Sequence, residues 1–276
     1  MSSSGFETAP AILYKYRRFD PQGKHVRLLR HGEVWFPSAR DFNDPFDTAF
    51  RYNFDGLHDE LGERWIRIAV KRQEPHLNHE QSELRAKTRL AELRNDPEEI
   101  QKMHQFSIET NYRAWGICSL CTVRDNLLLW AHYSQDHKGF CVGLSTNALD
   151  SVSRALVRDK LTLDLQKVNY SPVLPNPNFF EKMINLEDTS YIRDFIGTKS
   201  PDWSYEQEYR LVFYERANFS LRIPLEAVAE VILGCRITTG DKELLIRTCR
   251  THLPHARLFQ ARKEETRFAL VLEPIN

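Results

Sequence analysis

The sequence predicts an α+β protein with a mixed or mainly antiparallel sheet and an inserted helical block. Short apolar segments rich in β-branched and aromatic residues occur on both sides of residues 57–113, where the spacing of apolar residues becomes helical. A chain of 276 residues makes one large domain or two modest ones. We therefore expect a single α+β domain over residues 1–276, with residues 57–113 as a helical insertion within it.

The predicted elements follow from apolar spacing and from proline breaks. Strands are expected at 11–17 and 32–37, lying near each other, with a helical turn at 25–30 between them. Pro75 and Pro97 separate two or three helices of the block. The later elements are, in order, strands at 114–120 and 139–144 around a helix at 126–133, a strand at 164–170, a helix at 179–196, strands at 209–214, 219–223 and 230–233, a helix at 241–251, and a strand at 268–272.

Charge and cysteine content exclude several classes of protein. Thirty-eight basic residues balance 38 acidic ones, so the chain has no bulk attraction for nucleic acid or anionic lipid. No 18-residue apolar run suits a membrane span, and the first residues lack the pattern of a signal peptide. Five scattered cysteines indicate reduced thiols and a cytoplasmic protein. Cys118 and Cys121 form a lone C-x-x-C, which indicates buried strand residues more than zinc ligands.

The segment from Trp203 to Arg210 is the most informative part of the chain. On a strand, Glu206, Glu208 and Arg210 would project from one face. Two adjacent carboxylates raise one another's pKa, an arrangement found where an enzyme needs a base or a group that binds hydroxyls. The same residues also fit a structural Glu–Arg pair at the end of a strand.

An early strand carries a second group of polar residues. Alternation places Tyr14 and Tyr16 on one face with Arg18, and Lys15 with Arg17 on the other. Guanidinium groups beside aromatic rings suit a phosphate or a dinucleotide. The alternative is a surface arginine paired with a carboxylate.

Two further polar clusters can be interpreted either as functional sites or as ordinary structural features. His132 and Tyr133 begin a polar run at the junction of a helix and a strand, where function is common, although part of that helix is ordinary core. The loop at 41–47 contains Asp44 and Asp47, which suit a divalent cation, but an Asx-rich turn explains the loop better.

The chain is identified as a member of an uncharacterised bacterial family of unknown function. The resemblance rests on five blocks that follow one another over about 200 residues: Leu13-Tyr14-Lys15-Tyr16-Arg17, Phe42-Asn43-Asp44-Pro45-Phe46-Asp47, Leu129-Trp130-Ala131-His132-Tyr133-Ser134, His137-Lys138-Gly139-Phe140 and Trp203-x-Tyr205-Glu206-x-Glu208-x-Arg210.

The chain also resembles ADP-ribosyltransferases of the arginine, serine, glutamate type. Arg17, Ser119 and the Glu206-Gln207-Glu208 segment match that order, although Cys118-Ser119-Leu120 replaces the usual Ser-Thr-Ser. The resemblance implies that NAD is the cofactor and that a protein or nucleic acid is the acceptor, in a toxin or phage-defence setting. The roles it implies are: Glu208 stabilises the oxocarbenium ion, Glu206 orients or deprotonates the acceptor, Ser119 positions the sugar, Arg17 holds the phosphates, and Tyr14, His132, Tyr133, Trp203 and Arg210 complete the cofactor site.

Two other functions remain open from the sequence. An interaction module without catalysis would bind a nucleotide or nucleic acid through Arg17, Arg18 and Trp203, helped by the mild excess of basic residues between 236 and 267. A metal-dependent hydrolase or nuclease would use the carboxylates of Asp44 and Asp47 with the Glu206 and Glu208 pair.

Overall fold

A computed structural model describes residues 5–20, 23, 26–185, 190–214 and 216–276 of the chain. Its helices are α1 (Gly5–Thr8), α2 (Arg27–His31), α3 (Glu60–Gln73), α4 (His79–Asn95), α5 (Pro97–Ala114), α6 (Leu127–Tyr133), α7 (Thr146–Val157), α8 (Phe179–Ile184), α9 (Ser190–Gly197) and α10 (Thr239–His252). Its strands are β1 (Ile12–Arg17), β2 (Glu33–Phe36), β3 (Gly116–Cys121), β4 (Phe140–Ser145), β5 (Leu163–Lys167), β6 (Asn169–Tyr170), β7 (Thr198–Lys199), β8 (Glu208–Phe213), β9 (Phe219–Arg222), β10 (Val228–Leu233), β11 (Arg257–Lys263) and β12 (Leu270–Pro274).

The chain forms two compact units. The first contains Met1–Asn43, Arg113–Tyr170 and Pro201–Asn276, and the second contains Asp44–Tyr112 and Ser171–Ser200. The helical block predicted at 57–113 falls mainly in the second unit, together with a segment from much later in the chain. None of the described helices is both long enough and apolar enough to cross a membrane.

An eight-stranded sheet forms the centre of the first unit. Its strand order is β12-β11-β10-β4-β1-β3-β8-β5. Strands β10 and β11 are parallel, and the other neighbouring pairs are antiparallel. The predicted α+β class with a mixed sheet is therefore confirmed.

The two faces of this sheet are covered by different helices. One face carries Leu13 and Leu211, which pack with Leu149 of α7 and Leu245 of α10 in the main core. The other face carries Tyr14 and Tyr16 and is covered by α6, whose Trp130 packs edge-on against Tyr16. Strand alternation therefore decides which residues of β1 belong to which side.

Some sequence predictions for the first unit need correction. Strand β2 pairs with β9 in a separate two-stranded sheet and not with β1. Helix α7 and strand β11 were not predicted. In α7, Ser145 caps the helix directly after β4 without an intervening loop. Strand β11 begins and ends with charged residues, has only three apolar residues, and is held by strands on both sides.

The second unit contains the predicted helical block and a cluster of aromatic residues. Pro75 lies between α3 and α4, and Pro97 begins α5, as predicted. The predicted helix at 179–196 is present as α8 and α9, and residues 186–189 lie outside the described residues. The Phe50 and Phe195 rings stack with centroids 3.7 Å apart.

Candidate functional site

Strands β1 and β3 are sheet neighbours that separate along their length. Within the described residues, the two strands pair at Tyr14 and Cys121. By contrast, β1 pairs with β4 along its whole length, from Ile12 to Arg17. The second half of β1 therefore diverges from β3. We call this opening, with Lys15 and Arg17 on β1 and Ser119 on β3, the β1/β3 split.

Two cations in the β1/β3 split form no salt bridge with a carboxylate of the described residues. The Lys15 ammonium donates a hydrogen bond to the Ser119 backbone carbonyl at 2.5 Å. Arg17 makes no hydrogen bond or ion pair with a described residue. Both side chains are partly buried, and this burial lowers the pKa of each. Because uncompensated charge is costly away from water, the split favours binding of an anion.

The two glutamates of the Glu-x-Glu segment do not share a strand face. Glu206 ends a 3₁₀ helix that begins at Pro201, and β8 begins only at Glu208. Gln207 between them has a left-handed backbone, with φ of 46°. Its side-chain carbonyl accepts a hydrogen bond from Thr122 at 2.7 Å. The prediction that Glu206 lies on a strand with Glu208 is therefore wrong, because this turn interrupts the alternation.

Glu208 and Arg210 form a closed ion pair inside the protein. Two guanidinium nitrogens of Arg210 donate to the Glu208 carboxylate at 3.0 and 3.2 Å. Glu208 is 2% exposed and Arg210 is 0% exposed. The Arg210 guanidinium also lies 5.8 Å from the centre of the Phe42 ring. This geometry supports the interpretation that Glu208 and Arg210 form a structural ion pair.

Glu206 is bound to the end of helix α6. Asn126 begins this helix by accepting hydrogen bonds from two backbone amides, and Tyr133 lies in its last turn. The Tyr133 hydroxyl donates to the Glu206 carboxylate at 2.7 Å. Burial, and then the charge of Glu206, raise the pKa of Tyr133 above its ordinary range.

Arg17, Ser119 and Glu208 do not project from one face of the sheet. Tyr14 pairs with Cys121, and Cys121 pairs with Glu208, so these side chains share a face. Ser119 lies two residues from Cys121 and shares that face, whereas Arg17 lies three residues from Tyr14 and belongs to the other. The predicted convergence on one cleft is not seen, although the β1/β3 split opens the sheet between Arg17 and Ser119.

The other predicted cofactor residues are distributed over the first unit. The Tyr14 side chain lies beside the Glu230 carboxylate, and burial, the larger cause, together with this carboxylate raises the pKa of Tyr14. His132 is exposed, and its ring lies edge-on to Tyr133 with centroids 6.3 Å apart. Trp203 is partly exposed, and its ring is tilted against that of Tyr205 at 6.0 Å. None of these contacts forms a parallel pair of rings around a free gap.

The described residues offer little for a metal ion. They contain no group of three or more His, Cys, Asp and Glu side chains arranged to hold one. Cys118 packs in the main core and Cys121 packs on the opposite face of β3. In the 41–47 loop, the Asp44 carboxylate accepts from the Phe46 amide at 2.9 Å, and Asp47 pairs with Lys199 at 3.4 Å.

Sequence reasoning assigned no role to four charged residues that the structure makes prominent. Strand alternation placed Lys15 on the same face as Arg17, and this placement could have identified Lys15 as a second ligand residue. Arg124, Glu230 and Arg257 form an ionic cluster on the Tyr14 face of the sheet. They are distant in sequence and belong to no motif, so only the strand pairing shows that they meet.

Comparisons with known proteins match part of the chain to a family model and indicate no function. The model of a family described as "Protein of unknown function (DUF2971)" matches residues 129–211. This segment contains most of α6, including Tyr133, and the residues from Glu206 to Arg210. No curated protein and no solved structure matches the chain.

Proposed function

We propose that this chain, which carries a domain of the DUF2971 family of unknown function at residues 129–211, binds a phosphate-bearing nucleotide at the β1/β3 split. NAD is the first candidate ligand. The observation that carries the proposal is the pair of partly buried cations, Lys15 and Arg17, which form no salt bridge with a carboxylate of the described residues.

The split offers two kinds of donor to a phosphate. The planar Arg17 guanidinium suits two oxygens of one phosphate, and the Lys15 ammonium adds a point charge that is already positioned by the Ser119 carbonyl. Binding of a phosphate would neutralise the positive charges of Lys15 and Arg17, which are costly while they are partly buried without a counter-ion.

Calorimetric titration with NAD, ADP-ribose and nicotinamide tests this proposal. We expect NAD and ADP-ribose to bind and nicotinamide alone to fail, because the phosphates carry the interaction. Arg17→Gln and Lys15→Gln should each weaken binding about tenfold or more, since a hydrogen bond to a charged group contributes about 1.5–3 kcal/mol. Arg18→Gln, at the exposed neighbouring position, is the matched control. Unchanged affinity in Arg17→Gln would reject the site.

ADP-ribosyl transfer is the second candidate function. Its support is the position of two carboxylates, Glu206 and Glu208, whose charges both act on Tyr133, while Glu208 also acts on Lys15. In this reaction the bond between ribose and nicotinamide breaks, nicotinamide leaves with the electron pair, and a carboxylate stabilises the oxocarbenium ion. A nucleophile of the acceptor then attacks the ribose carbon, and its proton passes to the second carboxylate.

The closed Glu208–Arg210 pair adds a condition to the transfer proposal. Arg210 must leave Glu208, and the ribose of a ligand held by Arg17 must reach the opposite face of the sheet, before Glu208 can bind a ribose hydroxyl. Glu206, held by Tyr133, is then the group that accepts the proton. The acceptor is a protein or a nucleic acid, and we propose a toxin or phage-defence effector as the setting.

A labelled-NAD assay separates binding from transfer. Purified protein is mixed with NAD labelled in its adenylate part and with cell lysate, and both labelled macromolecules and free nicotinamide are measured. The transfer proposal expects activity that is lost in Glu208→Gln and Glu206→Gln while NAD binding and circular dichroism are retained. If the wild-type protein binds NAD but neither transfers nor hydrolyses it, the binding function remains and transfer is rejected.

We also propose that the protein resides in the cytoplasm. All five of its cysteines are free thiols, which is usual in a reducing compartment. Fractionation of cells that produce the full chain measures this directly. Recovery in an oxidising compartment with disulfide-linked cysteines would contradict the proposal.

A further inference from the structure

A second concentration of positive charge lies on the Tyr14 face of the eight-stranded sheet. Glu230 of β10 is 0% exposed. Its carboxylate accepts from Arg124 Nη1 at 2.9 Å and from Arg257 Nη2 at 2.7 Å. The Tyr14 side chain lies beside this carboxylate, and burial and then the interaction with Glu230 raise the pKa of Tyr14. The buried Glu230 carboxylate therefore binds one nitrogen of each of the two guanidinium groups.

Packing against neighbouring strands fixes the positions of the side chains in this cluster. Gly143 of β4 lies against it, and a Cβ at this position would come within 2.7 Å of Glu230 Cγ and 3.1 Å of the Tyr14 ring. The Phe259 ring lies under both guanidinium groups, with its centroid 5.4 Å from the Arg124 carbon and 5.8 Å from the Arg257 carbon. The guanidinium groups are thus pre-positioned by packing as well as by charge.

The cluster has more positive charge and more donors than its own acid uses. Two guanidinium groups and one carboxylate leave a net positive charge. The side chains of Arg124 and Arg257 are 38% and 63% exposed, so both reach water. A guanidinium has five N–H donors, and each arginine uses one for a hydrogen bond to Glu230 among the described residues. The remaining donors are available to an external acceptor.

We propose that Arg124 and Arg257 form a second anion site, which binds a phosphoryl group and is separate from the nucleotide site at Lys15 and Arg17. A tetrahedral phosphate dianion accepts from two guanidinium groups at once, and its charge more than neutralises the net positive charge that the two arginines and Glu230 leave. The buried Glu230 sets the spacing of the two donors. The site does not depend on the proposed function.

Phosphate binding to the full-length chain tests this site. Inorganic phosphate is titrated against Arg17→Gln protein, which disables the first site, and its ³¹P line width is measured at constant ionic strength. We expect binding to persist in this background. Adding Arg257→Gln or Arg124→Gln should weaken it about tenfold, and Arg257→Lys, which keeps the charge but loses the fork, should weaken it less.

A neighbouring arginine on the same strand supplies the control. Arg262 of β11 is 59% exposed and pairs with Glu273, so Arg262→Gln removes an equal charge outside the cluster. It should leave phosphate affinity within twofold. Equal losses in Arg262→Gln and Arg257→Gln would show general charge attraction and overturn the proposal. Loss of all phosphate binding in Arg17→Gln alone would also overturn it, because the phosphate would then occupy only the first site.

Discussion

Arg17 and Arg210 are arginines of the same sheet in opposite electrostatic situations. Arg17 has no ion pair with a described residue, whereas Arg210 is fully buried and bound to Glu208. An unpaired charge held for a ligand lowers the stability of the empty protein, whereas removal of one partner from a buried ion pair leaves an uncompensated charge and is destabilising. Measurements of the free energy of unfolding can therefore distinguish an arginine held for a ligand from an arginine with a structural role.

Replacing Arg17 by methionine should stabilise the ligand-free protein. Arg17→Met removes an uncompensated cation and leaves no orphaned partner among the described residues, so we expect the free energy of unfolding to rise by about 0.5–2 kcal/mol. Arg210→Met removes the guanidinium that holds the buried Glu208 and should lower it by about 3–5 kcal/mol. Urea unfolding measures both. A loss of stability in Arg17→Met would indicate a structural role for Arg17.

The lowered pKa of Lys15 predicts how affinity depends on pH. Burial lowers this pKa most, and the charge of Arg17 lowers it further. An anion binds the charged amine, so affinity is complete below this pKa and falls as pH rises through it, below the ordinary lysine value of about 10.4. Over that range the unfolded chain keeps a proton that the folded chain has lost, so the free energy of unfolding rises with pH.

Titrations of NAD at a series of pH values measure this effect. In Arg17→Gln protein the fall should move to higher pH, because a charge that lowers the Lys15 pKa is gone. A fall at the same pH in both proteins, or one only in the ordinary lysine range, would contradict the assignment of Lys15 as the titrating group.

At the scale of elements, the β1/β3 split depends on close contact between β1 and the turn before β4. Gly139 lies in this turn, and a Cβ there would come within 2.1 Å of the Arg17 carbonyl oxygen. Gly139→Ala should displace the end of β1, lower the free energy of unfolding by about 1–3 kcal/mol and weaken NAD binding. Thermal unfolding and calorimetric titration measure the two effects.

Gly240 in helix α10 is the matched control for this substitution. No atom lies within 4 Å of a Cβ built there, so Gly240→Ala should be neutral or slightly stabilising, as expected for alanine in a helix. If Gly139→Ala behaved in the same way as Gly240→Ala, the close contact between β1 and the turn would not be important for the site.

Apolar spacing in the sequence was sufficient to predict most elements of the fold, including β1, β3, α6 and the helices of the block. It was insufficient where one residue changes the backbone direction. Gln207 adopts a left-handed conformation that glutamine rarely takes, and this moved Glu206 off the predicted strand. Strand β11 was missed because its burial comes from its neighbours and not from a run of apolar residues.

At the scale of the whole molecule, the candidate site depends on strand pairing between distant parts of the chain. The sequence indicated Arg17 as a phosphate ligand. It could not show that β1 leaves β3 after the Tyr14 and Cys121 pair, because these residues are joined only by the sheet. It also could not show that Arg210 binds the Glu208 carboxylate, because the same spacing fits an active site in which that carboxylate is free to bind a substrate.

The balance of charges over the whole chain predicts a weak dependence of nucleotide binding on salt. Because 38 basic residues face 38 acidic ones, only the local cations of the split should attract a phosphate. Two neutralised phosphates give a slope of about −1.4 in a plot of log affinity against log salt concentration, at about −0.7 each for a single strand. Titrations of NAD and of thymidylate oligomers between low and physiological salt measure this slope. An affinity that grows with oligomer length, with a slope near −4 or steeper, would instead indicate an extended nucleic-acid surface in place of a nucleotide pocket.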